Sequence, residues 1–223
     1  MGHLNYDLGL KTTFWIIVIC YLTILATLFV RKSFKSEEIS SQKNLNRAIA
    51  IFFYMYVIAR ILFIFSDFER DPNGQTALYF QFVAASYVFN VVGFLALIIV
   101  GEKYLFKPGK FVMSYILGGA LVFNIVLLIF FPQLFTIARY INYVIFYTEV
   151  GILILLFLFL IRKTPGKLRK NSIFSLIGLI VMSVASILES DALVSEGIVQ
   201  PYYSPFLFAI GITIFAYGQM KGI

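Results

Sequence analysis

Long apolar runs, interrupted by short polar and charged stretches, fill the chain from residue 13 to residue 219. Crossing a hydrocarbon core of about 30 Å takes roughly 20 residues of α-helix, at about 1.5 Å per residue, and each run is about that long. The pattern predicts helices over 13–30, 45–66, 76–100, 111–131, 137–161, 172–189 and 203–219. Pro72, Pro108, Pro132, Pro165 and Pro201 fall between the runs, where a fixed φ and a missing N–H are tolerated. Pro205 lies inside a run, in its first turn. The turn pairs Asn73-Gly74 and Pro108-Gly109 mark the same breaks. The expected fold is an all-α, seven-transmembrane helix bundle forming one domain over 1–223.

Charge gives this bundle a direction. The stretches after helices one, three, five and seven carry Arg31, Lys32, Lys35, Lys43 and Arg47, then Lys103, Lys107 and Lys110, then Arg162, Lys163, Lys167, Arg169 and Lys170, and last Lys221. The opposite ends hold Lys11, Arg70 and Arg139. Cationic loops stay cytoplasmic, so the N-terminus is expected outside and the C-terminus inside. Asp7, Asp67, Glu69, Asp71, Glu189, Asp191 and Glu196 then cluster at the outer face. Trp15, Tyr79, Tyr140, Tyr202 and Tyr203 fall at the outer boundary and Tyr104 and Tyr217 at the inner one, as interfacial aromatics do.

Composition narrows the class further. The chain is 61% hydrophobic and 13% charged, against about 25% charged for a soluble domain, and its mean hydropathy is +0.91. Lipid is its expected solvent and the cell membrane its expected place, as a multi-pass protein. The net charge of +7 then reads as topology, since no water-facing domain remains to present a nucleic-acid surface. The first run ends at Arg31-Lys32 with no small-residue cleavage site before it, so it is expected to be a retained helix. Cys20 is the single cysteine and His3 the single histidine, which excludes an intramolecular disulfide and clustered zinc or haem ligands. No cofactor is expected, and no nucleophile with a nearby base suggests an enzyme.

Arg60 and Glu149 lie deepest among the ionisable residues. A charge at the centre of a spanning helix costs about 2.5–3.5 kcal/mol, so both are expected to face the bundle interior and to find partners. Glu149, Asp67 and Glu189 are the candidate partners of Arg60. Polar residues recur at helical spacing around them: Tyr56, Arg60 and Asp67 on the second helix, Tyr79, Ser86, Asn90 and Gly93 on the third, Asn142 and Glu149 on the fifth. On the sixth, Ser175, Gly178 and Glu189 share a face, with Ser186 at its edge. These stripes predict an outward-facing polar pocket built from Arg60, Glu149, Asn90, Asn142, Glu189, Tyr56, Ser86 and Asp67. Close helix packing explains such stripes equally well.

The residues bear on three other chemistries. Asp67-Phe68-Glu69-Arg70-Asp71-Pro72 spaces oxygens as a calcium loop does, but lacks glycine at the sixth position and glutamate at the twelfth, Leu78. Seven helices look like the microbial rhodopsin architecture, yet Tyr203 to Gln219 contains no lysine for a retinal Schiff base. Arg31-Lys32 and Arg162-Lys163, with Ser66-Asp67 and Ser190-Asp191, suggest a weak repeat. Pro132-Gln133 adds to the likeness with small three-plus-one-plus-three transporters.

The strings Asn44-Leu45-Asn46-Arg47-Ala48, Ala59-Arg60-Ile61-Leu62-Phe63-Ile64-Phe65-Ser66-Asp67-Phe68-Glu69-Arg70 and Tyr202-Tyr203-Ser204-Pro205 resemble small archaeal seven-helix membrane proteins. In outline these are similar to the seven-helix input modules of prokaryotic sensor kinases. The resemblance implies a ligand-sensing, receptor-like module. It would signal through a separate partner, because no output domain lies between the last helix and Ile223. The basic inner loops 31–44 and 162–171 are then the docking surface or contacts to anionic lipid. A transporter, a structural subunit and a homo-oligomer remain open alternatives.

Overall fold

In hydrocarbon every backbone N–H and C=O must be bonded within its own segment, which is why the apolar runs become helices. The computed structural model describes residues 2–34, 40–71, 74–105, 111–189, 200 and 202–220. In chain order these form α1 (Gly2–Ser33), α2 (Ser40–Phe68), β1 (Arg70–Asp71), β2 (Gly74–Gln75), α3 (Ala77–Leu105) and α4 (Val112–Phe130). A 3₁₀ turn (Pro132–Leu134) precedes α5 (Phe135–Lys163), α6 (Gly166–Leu188) and α7 (Tyr203–Met220). Pro72, Asn73, Pro108, Gly109, Ser190, Asp191, Glu196 and Pro201 lie outside the described residues, as do Lys35, Lys107, Lys110 and Lys221.

Six helices are long and apolar enough to cross a membrane: Gly9–Ser33, Ser40–Phe68, Ala77–Tyr104, Val112–Phe130, Phe135–Lys163 and Gly166–Leu188. α7 has 18 residues. Large apolar side chains are exposed along these helices, as on α4 at Tyr115, Ile116, Val122, Phe123, Ile129 and Phe130. Apolar surface on that scale needs lipid around it. The chain is a multi-pass, helical membrane protein.

Several helices overrun the expected limits. α1 begins at Gly2 rather than residue 13, and α6 at Gly166 rather than residue 172. Helices persist through polar ends because headgroup water and long cationic side chains satisfy them there. Arg31, Lys32, Arg162 and Lys163 occupy last turns, where the helix dipole favours positive charge. The basic stretch 162–171 is therefore mostly helix, with Thr164 and Pro165 as its non-helical link. Gly166 follows at φ +62°, a left-handed conformation that glycine adopts without a Cβ penalty.

The chain divides into two compact units, Met1–Cys20 with Ile154–Ile223, and Tyr21–Leu153. In the first, α6 and α7 run antiparallel with their backbones in near contact. A Cβ on Gly178 would lie 2.6 Å from Gly211 O and 2.7 Å from Phe215 Cα, and one on Gly218 would lie 2.6 Å from Asn171 O. Gln219 Nε2 donates to Ser175 Oγ at 2.8 Å across the same seam. Trp15 and Phe208 pack at 5.7 Å between ring centroids, Phe157 and Phe215 at 6.1 Å.

In the second unit, ring pairs fix the neighbours. Phe52–Phe94 (4.9 Å) and Phe63–Tyr87 (5.4 Å) join α2 to α3 in antiparallel order. Phe80–Phe135 (4.5 Å), Tyr87–Tyr143 (5.5 Å) and Phe94–Phe146 (5.3 Å) join α3 to α5 in parallel. Phe29–Phe53 (5.7 Å) brings the later part of α1 to α2. Glu102, near the end of α3, accepts from Met113 N at 2.9 Å, from Ser114 N at 3.0 Å and from Ser114 Oγ. Those are first-turn groups of α4 with no partner inside their own helix, so a side chain of the preceding helix caps α4.

The loop between α2 and α3 forms a short antiparallel ladder, Arg70 opposite Gln75 and Asp71 opposite Gly74. Thr76 Oγ1 then accepts from Tyr79 N at 3.1 Å and caps α3.

Candidate functional site

Each helix of the second unit has a buried stripe, and polar residues interrupt those of α2, α3, α4 and α5. On α3 the stripe runs Tyr79, Val83, Ser86, Asn90, with Leu97 further on. Asn90 precedes Gly93, which abuts Met55 and Phe52 of α2, by three residues, and Phe94, which packs on Phe146 of α5, by four. It therefore faces the space between α2 and α5. On α5 the stripe reads Ala138, Asn142, Ile145, Glu149, Leu153. Asn142 and Glu149 flank Phe146, four residues before it and three after. On α2, Tyr56 and Arg60 occupy adjacent turns of the buried face.

Phe52, Phe94 and Phe146 mark one level across α2, α3 and α5. Glu149 lies about 4.5 Å beyond Phe146 along the axis. Tyr56, Asn90 and Asn142 each stand four residues, about 6 Å, from that layer on the opposite side. Arg60 is one turn further, but its guanidinium leans back. Nη2 donates to Tyr56 Oη at 2.5 Å, and Cζ lies 4.9 Å from the Tyr56 ring centroid and 5.4 Å from that of Phe63. The result is a polar stratum of Tyr56, Arg60, Asn90 and Asn142 about one turn to one side of the phenyl layer, with Glu149 nearly a turn to the other side.

Satisfaction of these groups is uneven. Arg60 is 4% exposed, with a hydroxyl and two ring faces around its charge. Ser86 spends its proton on Phe82 O of its own helix at 2.7 Å. Glu149 is 0% exposed, and neither oxygen has a hydrogen-bond partner among the described residues. The same holds for both amide atoms of Asn142 and for Oδ1 of Asn90. Of the three candidate partners of Arg60, Glu149 makes no hydrogen bond to it, and the guanidinium folds back onto Tyr56. Asp67 ends α2 half-buried, and Glu189 caps the C-terminus of α6 in the other unit.

Two features escaped the sequence. Tyr143 Oη accepts from Tyr87 Oη and from Arg139 Nε, each at 3.0 Å, which ties the outer part of α3 to α5. Asn124 of α4 is fully buried with neither amide atom bonded. Its position on the stripe Ser114, Leu117, Leu121, Asn124 was the available signal.

No protein-family model, curated protein or solved structure matches this chain.

Proposed function

We propose that the protein is a receptor-like membrane module in which the α2–α3–α5 interior binds a small polar molecule reaching it from the outer side. Seven crossings, with the N-terminus outside and the C-terminus in the cytoplasm, follow from the alternation of Lys and Arg along the chain. One observation carries the reading: Glu149 is fully buried and neither oxygen has a hydrogen-bond partner among the described residues, and the same holds for the amide of Asn142, two turns earlier on the same helix. A buried polar group left unsatisfied costs about 1–3 kcal/mol, and groups used only for packing would be expected to bond one another. Binding would engage these groups on α5 and shift that helix against Arg60 of α2, carrying the change to the cationic inner end at Arg162 and Lys163.

The transporter reading draws less support. A three-plus-one-plus-three plan calls for α1–α3 and α5–α7 as matching triplets, whereas the compact units divide within α1 and within α5.

Aqueous access tests the proposal. Asn142→Cys, made in a Cys20→Ser background, should react with a membrane-impermeant thiol reagent added to the outer face of sealed, oriented vesicles. Protection from that side, or reaction from the inner face alone, would sink it.

A further inference from the structure

Resting on that reading, we infer that the site takes a small organic ammonium compound, its cationic head at Glu149 and an oxygen-bearing end about two helical turns away. The carboxyl is fully buried and has no donor among the described residues. Within a turn of it lie Phe146 and Phe94, packed edge to face at 5.3 Å, with Phe52 4.9 Å from Phe94. An acid next to an aromatic layer suits an alkylammonium, which brings the missing charge, donates to the carboxylate and tolerates apolar walls. A hard metal ion is served less well. It needs several oxygens at 2.0–2.6 Å, and no three His, Cys, Asp or Glu side chains cluster among the described residues. Asn142 starts seven residues, about 10 Å, from Glu149 on the same helix, too far to share one small ion.

That separation fits a molecule with two ends. The stratum of Arg60, Asn90 and Asn142 offers a guanidinium and amide groups about 6 Å from the phenyl layer. It would receive a carboxylate, carbonyl or hydroxyl. Charge order along the site, acid on one side of the phenyl layer and base on the other, sets the orientation of such a ligand and disfavours its reverse.

Thermal unfolding of the full chain in detergent, with four probes, tests this. The probes are 4-aminobutanoate, butylammonium, butanoate and sodium chloride at matched ionic strength. 4-Aminobutanoate at ten times its Kd should raise the midpoint by about 3–6 °C, and butylammonium by less. Butanoate and sodium should give no shift. Glu149→Gln, which keeps the side-chain shape, should abolish both shifts, while Gly151→Ala, whose added Cβ meets nothing within 4 Å, should retain them. Equal protection by butanoate or sodium, protection that survives Glu149→Gln, or no shift with either ammonium probe would overturn the assignment. The thiol-access experiment separates the two ideas: a reactive Asn142→Cys with no ammonium effect leaves a polar-ligand site of another class, and an unreactive one removes both.

Discussion

Replacing Glu149 with leucine should make the protein more stable. The side chain is wholly enclosed and neither oxygen has a partner among the described residues, so the folded state bears an uncompensated polar group. Its cost is about 1–3 kcal/mol, and leucine of similar volume removes it while adding apolar contact. Imperfect shape at the new methyl groups returns less than about 1.5 kcal/mol. A net gain of about 1–2 kcal/mol corresponds to roughly 2–8 °C in midpoint for a chain of this size. Near-ultraviolet circular dichroism during heating in a mild detergent measures it directly. Glu149→Gln, still polar and still without a partner, should stay within about 1 kcal/mol of the parent. A leucine variant less stable by more than about 1 kcal/mol would show that the carboxyl holds the fold together, and the reasoning behind both site proposals would fail.

Other parts of the structure make independent demands. Gly178→Ala drives a Cβ to 2.6 Å from Gly211 O and should cost at least about 2–3 kcal/mol, whereas Gly151→Ala should be neutral or stabilising by up to about 1 kcal/mol; equal midpoints would contradict the close α6–α7 seam. Glu102→Ala strips three acceptor contacts from the start of α4 and should cost about 2 kcal/mol, with faster amide exchange confined to residues 112–115 as the diagnostic. Tyr143→Phe removes the acceptor shared by Tyr87 and Arg139 and should cost about 1–2 kcal/mol, more than Tyr87→Phe, which loses one bond; the reverse order would place the hub elsewhere.

Helix existence was legible because a spanning segment must be apolar over its whole length, so the runs stand out against any break. Helix ends were not. Lys167, Arg169 and Lys170 read as loop by composition, yet they are exposed on the first turns of α6, where water solvates them without unwinding the backbone. The inward faces were legible only where a polar residue marks them. α5 is apolar on its lipid side and its core side alike, and Asn142 and Glu149 alone distinguish one from the other. Pairings between helices were not legible at all, since they depend on relative level. Arg60 could be set opposite Glu149, Asp67 or Glu189 on spacing alone, and its lean back onto Tyr56 emerges only once the side chains are placed.

Among the described residues, two buried carboxyls, Glu102 and Glu149, are held in contrasting ways. Glu102, 4% exposed, meets two backbone donors and a hydroxyl, and the charge sits at the positive end of α4. Ser172, Ser175, Ser183 and Ser186 on α6 each return their proton to a carbonyl four residues back in their own helix. Those groups have structural explanations that are complete on local geometry. Glu149 sits at the same degree of burial without one, in a chain that shows elsewhere how a carboxyl is satisfied. A more stable alternative such as leucine is a single substitution away. The excess cost at Glu149 is therefore the strongest physical reason to look for the ligand there, ahead of the better-bonded Arg60.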